Sequence, residues 1–186
     1  MTREPIAWIF GYGSLAGWPA TATRLQRRPA RLRGHRRCWE VAMDNSKRIP
    51  GYKVFVDPRS GEQPPVFVTF LDMQRDEDAW INGVLIPVPE AELSALDARE
   101  RNYDRHEVTP YVDAEIDGAV WAYIGSDHGR ERYRTGRDQG TAVVSTEYLA
   151  AVEQGFAELG ARALELFRST TSSPEVPLVP LRRVDL

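Results

Sequence analysis

Two short segments carry residue types that could do chemistry. Phe10-Gly11-Tyr12-Gly13-Ser14-Leu15 closes an apolar run, Ile6–Phe10, that reads as a buried strand. Glycine lifts the steric bar to positive φ, so the chain there can turn sharply and present backbone N–H groups. Successive N–H groups in such a turn form a cup for a carboxylate or a developing oxyanion. The same residues also fit a plain glycine-rich turn after a first strand. Much further along, Leu96-Asp97-Ala98-Arg99-Glu100-Arg101-Asn102-Tyr103 sets one glutamate between two arginines, with a tyrosine three residues on. A glutamate facing a pocket is a general acid or base. One facing water is a solvated charge that pairs with Arg99 or Arg101. Tyr103 fits either a hydrogen-bonding group or a packed aromatic.

Other patterns carry less. Ser126-Asp127-His128 spells a triad in a row, but triads are assembled across space, and adjacent residues cannot aim at one another. His35 and His106 are isolated and read as surface or half-buried polar residues. Arg24, Arg27, Arg28, Arg31, Arg33, Arg36 and Arg37 form a basic run. The net charge of −3 argues against a general polyanion binder, so the run reads as the solvated side of a loop and strand, and no nucleic-acid partner is expected. GYGSLAG lacks the spacing of a dinucleotide fingerprint. The chain has no G-x-S-x-G elbow and no HExxH, and its one cysteine, Cys38, allows neither an internal disulfide nor a cysteine cluster for zinc. Cys38 reads as a small core residue.

The elements that must position these groups are mostly strands first and helices later. Strands are expected at 6–10, 31–43, 54–56, 66–71 and 79–88, the last stopped by Pro87 and Pro89. A short helix over Glu90–Arg99 delivers Glu100 at its end. Glu107–Ile116 and Ala119–Ile124 form a hairpin-like pair around Asp117-Gly118. Gly125–Gly140 is polar and punctuated by glycine, and is expected to be a mobile rim loop. Ser145 is the N-cap of a helix whose apolar face is Tyr148, Leu149, Val152, Phe156 and Leu159; Gly160 breaks it, and a shorter helix follows. Residues 169–186 read as an extended C-terminal tail. The order suggests an α+β fold, and 186 residues suggest a single domain over 1–186. Apolar content of 42% and charged content of 27% are those of a soluble globular protein. Neither a signal peptide at Met1–Pro5 nor an apolar run of membrane-span length is seen, so a cytoplasmic protein without a membrane partner is expected.

Taken together, the FGYGSL and LDxRExxY elements resemble the γ-glutamylcyclotransferase-like superfamily, which includes ChaC-type and AIG2-like proteins. Trp80–Leu85 resembles that family's strand before the glutamate, and Val143–Leu149 its late helix start. The resemblance implies a small, mixed β-barrel with flanking helices. It implies that Glu100 is the catalytic acid/base and that Gly11, Tyr12, Gly13, Ser14 and Leu15 cradle the substrate, with Tyr103 beside them. The reaction implied is closure of a γ-glutamyl group to 5-oxoproline by its own α-amine, with release of a free amine or amino acid. It needs no protein nucleophile, cofactor or metal, and the implied partner is a small γ-glutamyl compound; oligomeric state is left open. A catalytically idle protein that binds a γ-glutamyl or amino-acid ligand is the alternative. Ala16-Gly17 stand before Trp18, where ChaC-type chains continue directly to an aliphatic residue and tryptophan. That departure favours the AIG2-like branch.

Overall fold

The computed structural model describes residues 6–18 and 26–186. Arg24 of the basic run and the leader region Met1–Pro5 lie outside the described residues. Nine strands and four α-helices are found among them: β1 (Ile6–Gly11), β2 (Arg28–Asp44), β3 (Lys53–Val56), β4 (Phe67–Pro89), α1 (Leu93–Arg99), β5 (Tyr103–Glu107), β6 (Val120–Gly125), α2 (Asp127–Asp138), β7 (Ala142–Ser145), α3 (Thr146–Glu158), α4 (Ala161–Ser169), β8 (Leu178–Val179) and β9 (Arg182–Asp185). This is the expected α+β architecture. Among the described residues no helix is long and apolar enough to cross a membrane.

The main sheet runs β5-β6-β1-β4-β7-β8, with β2 also paired to β4. It is mixed: β1 is antiparallel to β4 and parallel to β6, and β7 is parallel to both β4 and β8. The described ladders leave β5 and β8 as ends, so they do not close into a ring. Its core is made where β1, β2 and β4 turn apolar faces inward: Ile9, Phe10, Leu32, Ile81, Leu85 and Ile86 are among its fully buried side chains. β3 stands apart, paired antiparallel only with β9.

Four expectations are corrected. The two strands at 66–71 and 79–88 are one long strand, β4, because β2 runs alongside it from Phe67 to Leu85 and pairs on both sides of the polar stretch at 76–79. Pro87 does not stop that strand but sits in its ladder opposite Trp8, and the strand ends at Pro89. The pairing partner of β6 is Tyr103–Glu107, upstream of the segment expected, and residues beyond it form a 3₁₀ turn at Thr109–Tyr111. The expected rim loop at 125–140 is a helix, α2. Ser126 caps it by accepting from the Gly129 N–H at 3.1 Å, and Asp127 lies favourably in its first turn.

The helices clamp the sheet. Ser145 caps α3 as the sequence suggests, accepting from the Tyr148 N–H at 3.2 Å, and α3 packs against the 3₁₀ turn Ser14–Gly17 and against α4. α2 lies on β2. Of residues 169–186, expected to form an extended tail, Ser169 closes α4 and two later pieces are sheet strands, β8 and β9.

Candidate active site

Glu100 follows α1 directly. Its N–H donates to the Leu96 carbonyl at 3.1 Å, and its carbonyl accepts from the Tyr103 N–H at 2.9 Å. The glutamate is thus pinned on a tight turn between α1 and β5. Asp97, of the same motif, fixes that turn to the sheet: it accepts from Arg105 Nε at 2.9 Å and from the Tyr123 hydroxyl at 2.8 Å. Asn102 fixes its other side, donating to the Tyr52 hydroxyl at 2.9 Å and accepting from Arg132 Nη2 at 2.8 Å.

Glu100 lines a cleft of about 420 Å³. Around it stand Tyr12, Gly13, Ser14 and Leu15 from the end of β1, Lys53 from β3, Tyr103 from β5, Tyr148 from α3, and Arg183 and Asp185 from β9. Residues far apart in the chain therefore meet at one cavity. Of the site residues that the family resemblance implies, Gly11 alone is absent from its walls. Gly11 is buried in β1, and a Cβ there would lie 3.1 Å from both Ile86 Cδ1 and the Leu15 carbonyl carbon. Its role is to let the following turn fold back against the strand.

The turn itself is built differently from the sequence reading. Neither Gly11 nor Gly13 has positive φ; Gly13 is at φ −137°. The N–H groups of Gly13, Ser14 and Leu15 have no acceptor among the described residues, whereas the Gly13 carbonyl accepts from the Ala16 N–H at 2.9 Å. Three successive unclaimed donors on a cleft wall can receive an anion.

Three tyrosine hydroxyls at the cleft are already engaged. Tyr12 donates to the Tyr123 carbonyl at 2.6 Å, and Tyr103 donates to the Leu71 carbonyl at 2.7 Å. Tyr148 accepts from the Leu71 N–H at 3.4 Å. Burial raises all three well above the ordinary phenol range, so they stay neutral and act as polar walls.

Charge within the cleft is uneven. Burial pushes the Glu100 carboxyl up, and the nearby cations Lys53, Arg99 and Arg183 pull it back. No described residue donates a hydrogen bond to it. Burial lowers the Lys53 ammonium to about 8, against the opposing pull of Glu100. Lys53 Nζ stands 4.6 Å from the Phe70 ring centre and 5.5 Å from that of Tyr52, and it forms no ion pair among the described residues. Arg183 is paired with Asp185 at 2.7 Å, and Arg99 lies over the Trp18 ring at 5.3 Å. The arrangement offers the Glu100 carboxylate as a proton acceptor, two cations without an ion pair among the described residues, Lys53 and Arg99, and a row of N–H donors around a polar cavity. Among the described residues no three His, Cys, Asp or Glu side chains come together as a metal-ligand set.

Several sequence readings resolve here. Ser126 of the in-line Ser-Asp-His is a helix cap, and no residue of 125–140 lines the cleft. Instead Arg130 pairs with the fully buried Asp72 at 2.8 Å, and Arg132 donates to the Ala42 carbonyl at 2.8 Å. Cys38 is buried, as read, and burial raises its thiol far above reactivity. His35 is buried against the Tyr111 ring, while His106 is exposed. The basic run is only partly a solvated face. Arg28 and Arg31 stack on Trp8 and Trp80, Arg27 donates to the carbonyls of Ala16 and Trp18, and Arg37 is buried at 1% exposure. Lys53, Tyr148 and Arg183 went unrecognised in the sequence. Tyr148 looks like one more apolar-face residue of α3, and nothing local marks Lys53 or Arg183 as cleft residues.

The sequence matches the model of a family described as γ-glutamyl cyclotransferase, AIG2-like, over residues 9–140. A comparison with curated proteins gives no significant match. Among solved structures, the chain is similar to a yeast γ-glutamyl cyclotransferase described as specific to glutathione. The TM-score is 0.57 at 17% identity, covering 89% of this chain and 95% of that one. A second, described as γ-glutamyl cyclotransferase, gives 0.56 at 13% identity over 92% and 90%. YkqA from Bacillus subtilis gives 0.53 at 18% identity, covering 89% of this chain and 54% of that one. At these identities the likeness speaks for the fold.

Proposed function

The chain belongs to the AIG2-like γ-glutamyl cyclotransferase family, and from that premise we propose that it converts a γ-glutamyl compound to 5-oxoproline and a free amine or amino acid, with Glu100 as the acid/base. The observation that carries the reading is that Glu100 and the N–H groups of Gly13–Leu15 share one cleft. The substrate supplies its own nucleophile. Its α-ammonium first loses one proton to solvent; the free amine then adds to the γ-carbonyl carbon while the Glu100 carboxylate takes a second proton from that nitrogen, and a C–N bond closes the five-membered ring. The carbonyl oxygen becomes an oxyanion, which the loop N–H groups receive. Glu100 then returns the proton to the departing nitrogen as its bond to the γ-carbon breaks. Both reacting groups lie in one molecule, so holding the folded-back conformer supplies much of the acceleration.

Burial suits Glu100 to this work. A carboxyl raised from its ordinary value is a stronger base and so a better match for an amine proton. The turn that fixes Glu100 on both sides keeps it from swinging out of line. Tyr12 and Tyr103, whose hydroxyls are engaged with backbone carbonyls, shape and dry the cavity rather than move protons.

The test is a 5-oxoproline release assay over a panel of γ-glutamyl amino acids, amines and peptides, run on the native chain and on Glu100→Gln. Turnover of at least one compound, abolished in Glu100→Gln, supports the reading. Tight binding of a γ-glutamyl compound with no 5-oxoproline formed supports the idle binding protein instead.

A further inference from the structure

Arg37 is a buried cation without a carboxylate partner among the described residues. Its guanidinium is surrounded by neutral acceptors. Nε donates to the Tyr12 carbonyl at 2.8 Å, Nη1 to the hydroxyls of Thr170 and Thr171 at 3.1 and 2.8 Å, and Nη2 to the Asn82 carbonyl. The rings of Phe167 and Phe156 lie 4.7 and 5.3 Å from its centre. Thr170 and Thr171 follow the end of α4, whose partial negative charge faces the cation. An apolar core at this position would avoid the cost of desolvating a charge. The bond to Tyr12 shows what the charge can do. A trans peptide points its C=O and N–H in opposite directions. With the Tyr12 carbonyl held from the core side by Arg37, the N–H of the same peptide unit, on Gly13, faces away from the core. That N–H has no acceptor among the described residues, and Gly13 lines the cleft.

Building on the cyclotransferase reading, we propose that Arg37 is a positioning residue: its cation, bonded to the Tyr12 carbonyl, aims and polarises the Gly13 N–H as the donor to the oxyanion. A hydrogen bond to a peptide oxygen draws electron density from the nitrogen and strengthens the N–H as a donor. A full charge at 2.8 Å does so more than a neutral donor would. The benefit is largest when the γ-carbonyl oxygen has become an anion, so it belongs to the transition state and not to the bound substrate.

The test pairs kinetics with the amide proton shift of Gly13 in glycine-labelled protein. Arg37→Met is expected to lower kcat by about 10²-fold, the cost of weakening one oxyanion donor, with KM changed less than about threefold, and to move the Gly13 amide proton upfield. Arg37→Lys keeps the charge without the fork and should recover part of both. Should Arg37→Met fail to fold, Thr171→Val withdraws one anchor of the guanidinium and should give a smaller change in the same two readouts. A folded variant with an unmoved Gly13 shift overturns the proposal, as does a fall in kcat/KM that comes entirely from KM. The shift is measurable without turnover. If the native chain released no 5-oxoproline from any compound, the cyclotransferase reading would fail, while the shift would still decide whether Arg37 polarises Gly13.

Discussion

Gly17 and Gly155 meet backbone to backbone. A Cβ on Gly155 would lie 2.6 Å from the Gly17 nitrogen and 2.8 Å from its Cα. The turn that follows β1 is therefore seated directly on α3, with no side chain between them. Gly155→Ala must push helix and turn apart. Overpacking of this kind costs about 1–3 kcal/mol. A melting curve should show that loss, and activity should fall further than stability does, because the displaced turn carries the N–H groups of Gly13–Leu15. Unchanged melting and turnover would mean that the turn slides freely over α3.

Glu100→Gln keeps the shape of the side chain and removes its proton transfer. Turnover on the best γ-glutamyl substrate is expected to fall by about 10²–10⁴-fold. Folding should be unharmed, since no described residue hydrogen-bonds the carboxylate and the variant no longer carries a buried charge. Near-native turnover in a folded Glu100→Gln would remove Glu100 from the mechanism.

Lys53 couples activity to pH and opposes stability. On the proposed mechanism Glu100 must be a carboxylate to accept the amine proton. Burial raises its pKa, so kcat/KM should rise with pH above the ordinary carboxylate range. Lys53 holds that rise down by favouring the carboxylate; Lys53→Met should shift the acid limb to higher pH. The linkage sign for stability is the reverse of a stabilising cation. Lys53 has a folded value lowered to about 8, so burial costs stability while it is protonated, and the cost fades as pH rises through about 8 and above. Lys53→Met should therefore melt about 2–4 °C higher at pH 7 for each kcal/mol relieved, while working less well. A variant that melts lower, with an unshifted pH profile, would contradict both parts.

Arg130 belongs to the core and not to substrate choice. Asp72 is fully buried and accepts from the N–H groups of Gly125 and Met73 as well as from Arg130. Arg130→Met leaves that carboxylate without its cation, a loss of about 3–5 kcal/mol. Relative kcat/KM values across γ-glutamyl substrates should stay the same, because α2 does not reach the cleft. A changed preference with unchanged stability would restore 125–140 to the site.

The legible parts of the molecule were those with local chemical signatures. Ile6–Phe10 reads as a strand because it is an apolar run, and Ser145 reads as a cap because a hydroxyl precedes a helical pattern. α2 was illegible for a physical reason. The residues it buries are Gly129, Tyr133 and Gly136, spaced as one helical face, and two of the three have no side chain to register as hydrophobic. Glycine is needed there: a Cβ on Gly136 would lie 2.7 Å from that of Phe67, and one on Gly129 2.5 Å from the Asn102 carbonyl. Glu100 and the 10–15 segment were legible as motifs. Lys53 and Arg183 were not, because their place in the cleft depends on β3 pairing with β9, a ladder that joins residues 53–56 to 182–185. Arg37 was misjudged because it sits in a run of arginines whose other described members are exposed or half-buried, and its place along β2 turns it inward.

That same two-stranded ladder gives the cleft a mechanical weak point. Among the described residues β3 and β9 pair only with each other, and they rest on the main sheet through a small apolar cluster that joins Phe55 and Leu181 to Met43 of β2, Val68 and Phe70 of β4 and Val143 of β7. A two-stranded ladder of four residue pairs opens with less free energy than the main sheet. It carries Lys53 and Arg183 with it. Amide exchange along residues 53–56 and 182–185 should then run faster than in β1 and β4, and bound substrate should slow it. On the proposed function, opening of this ladder removes one wall of the cleft while Glu100 and the loop opposite remain folded, so loss of turnover on warming is expected to precede the collapse of the sheet.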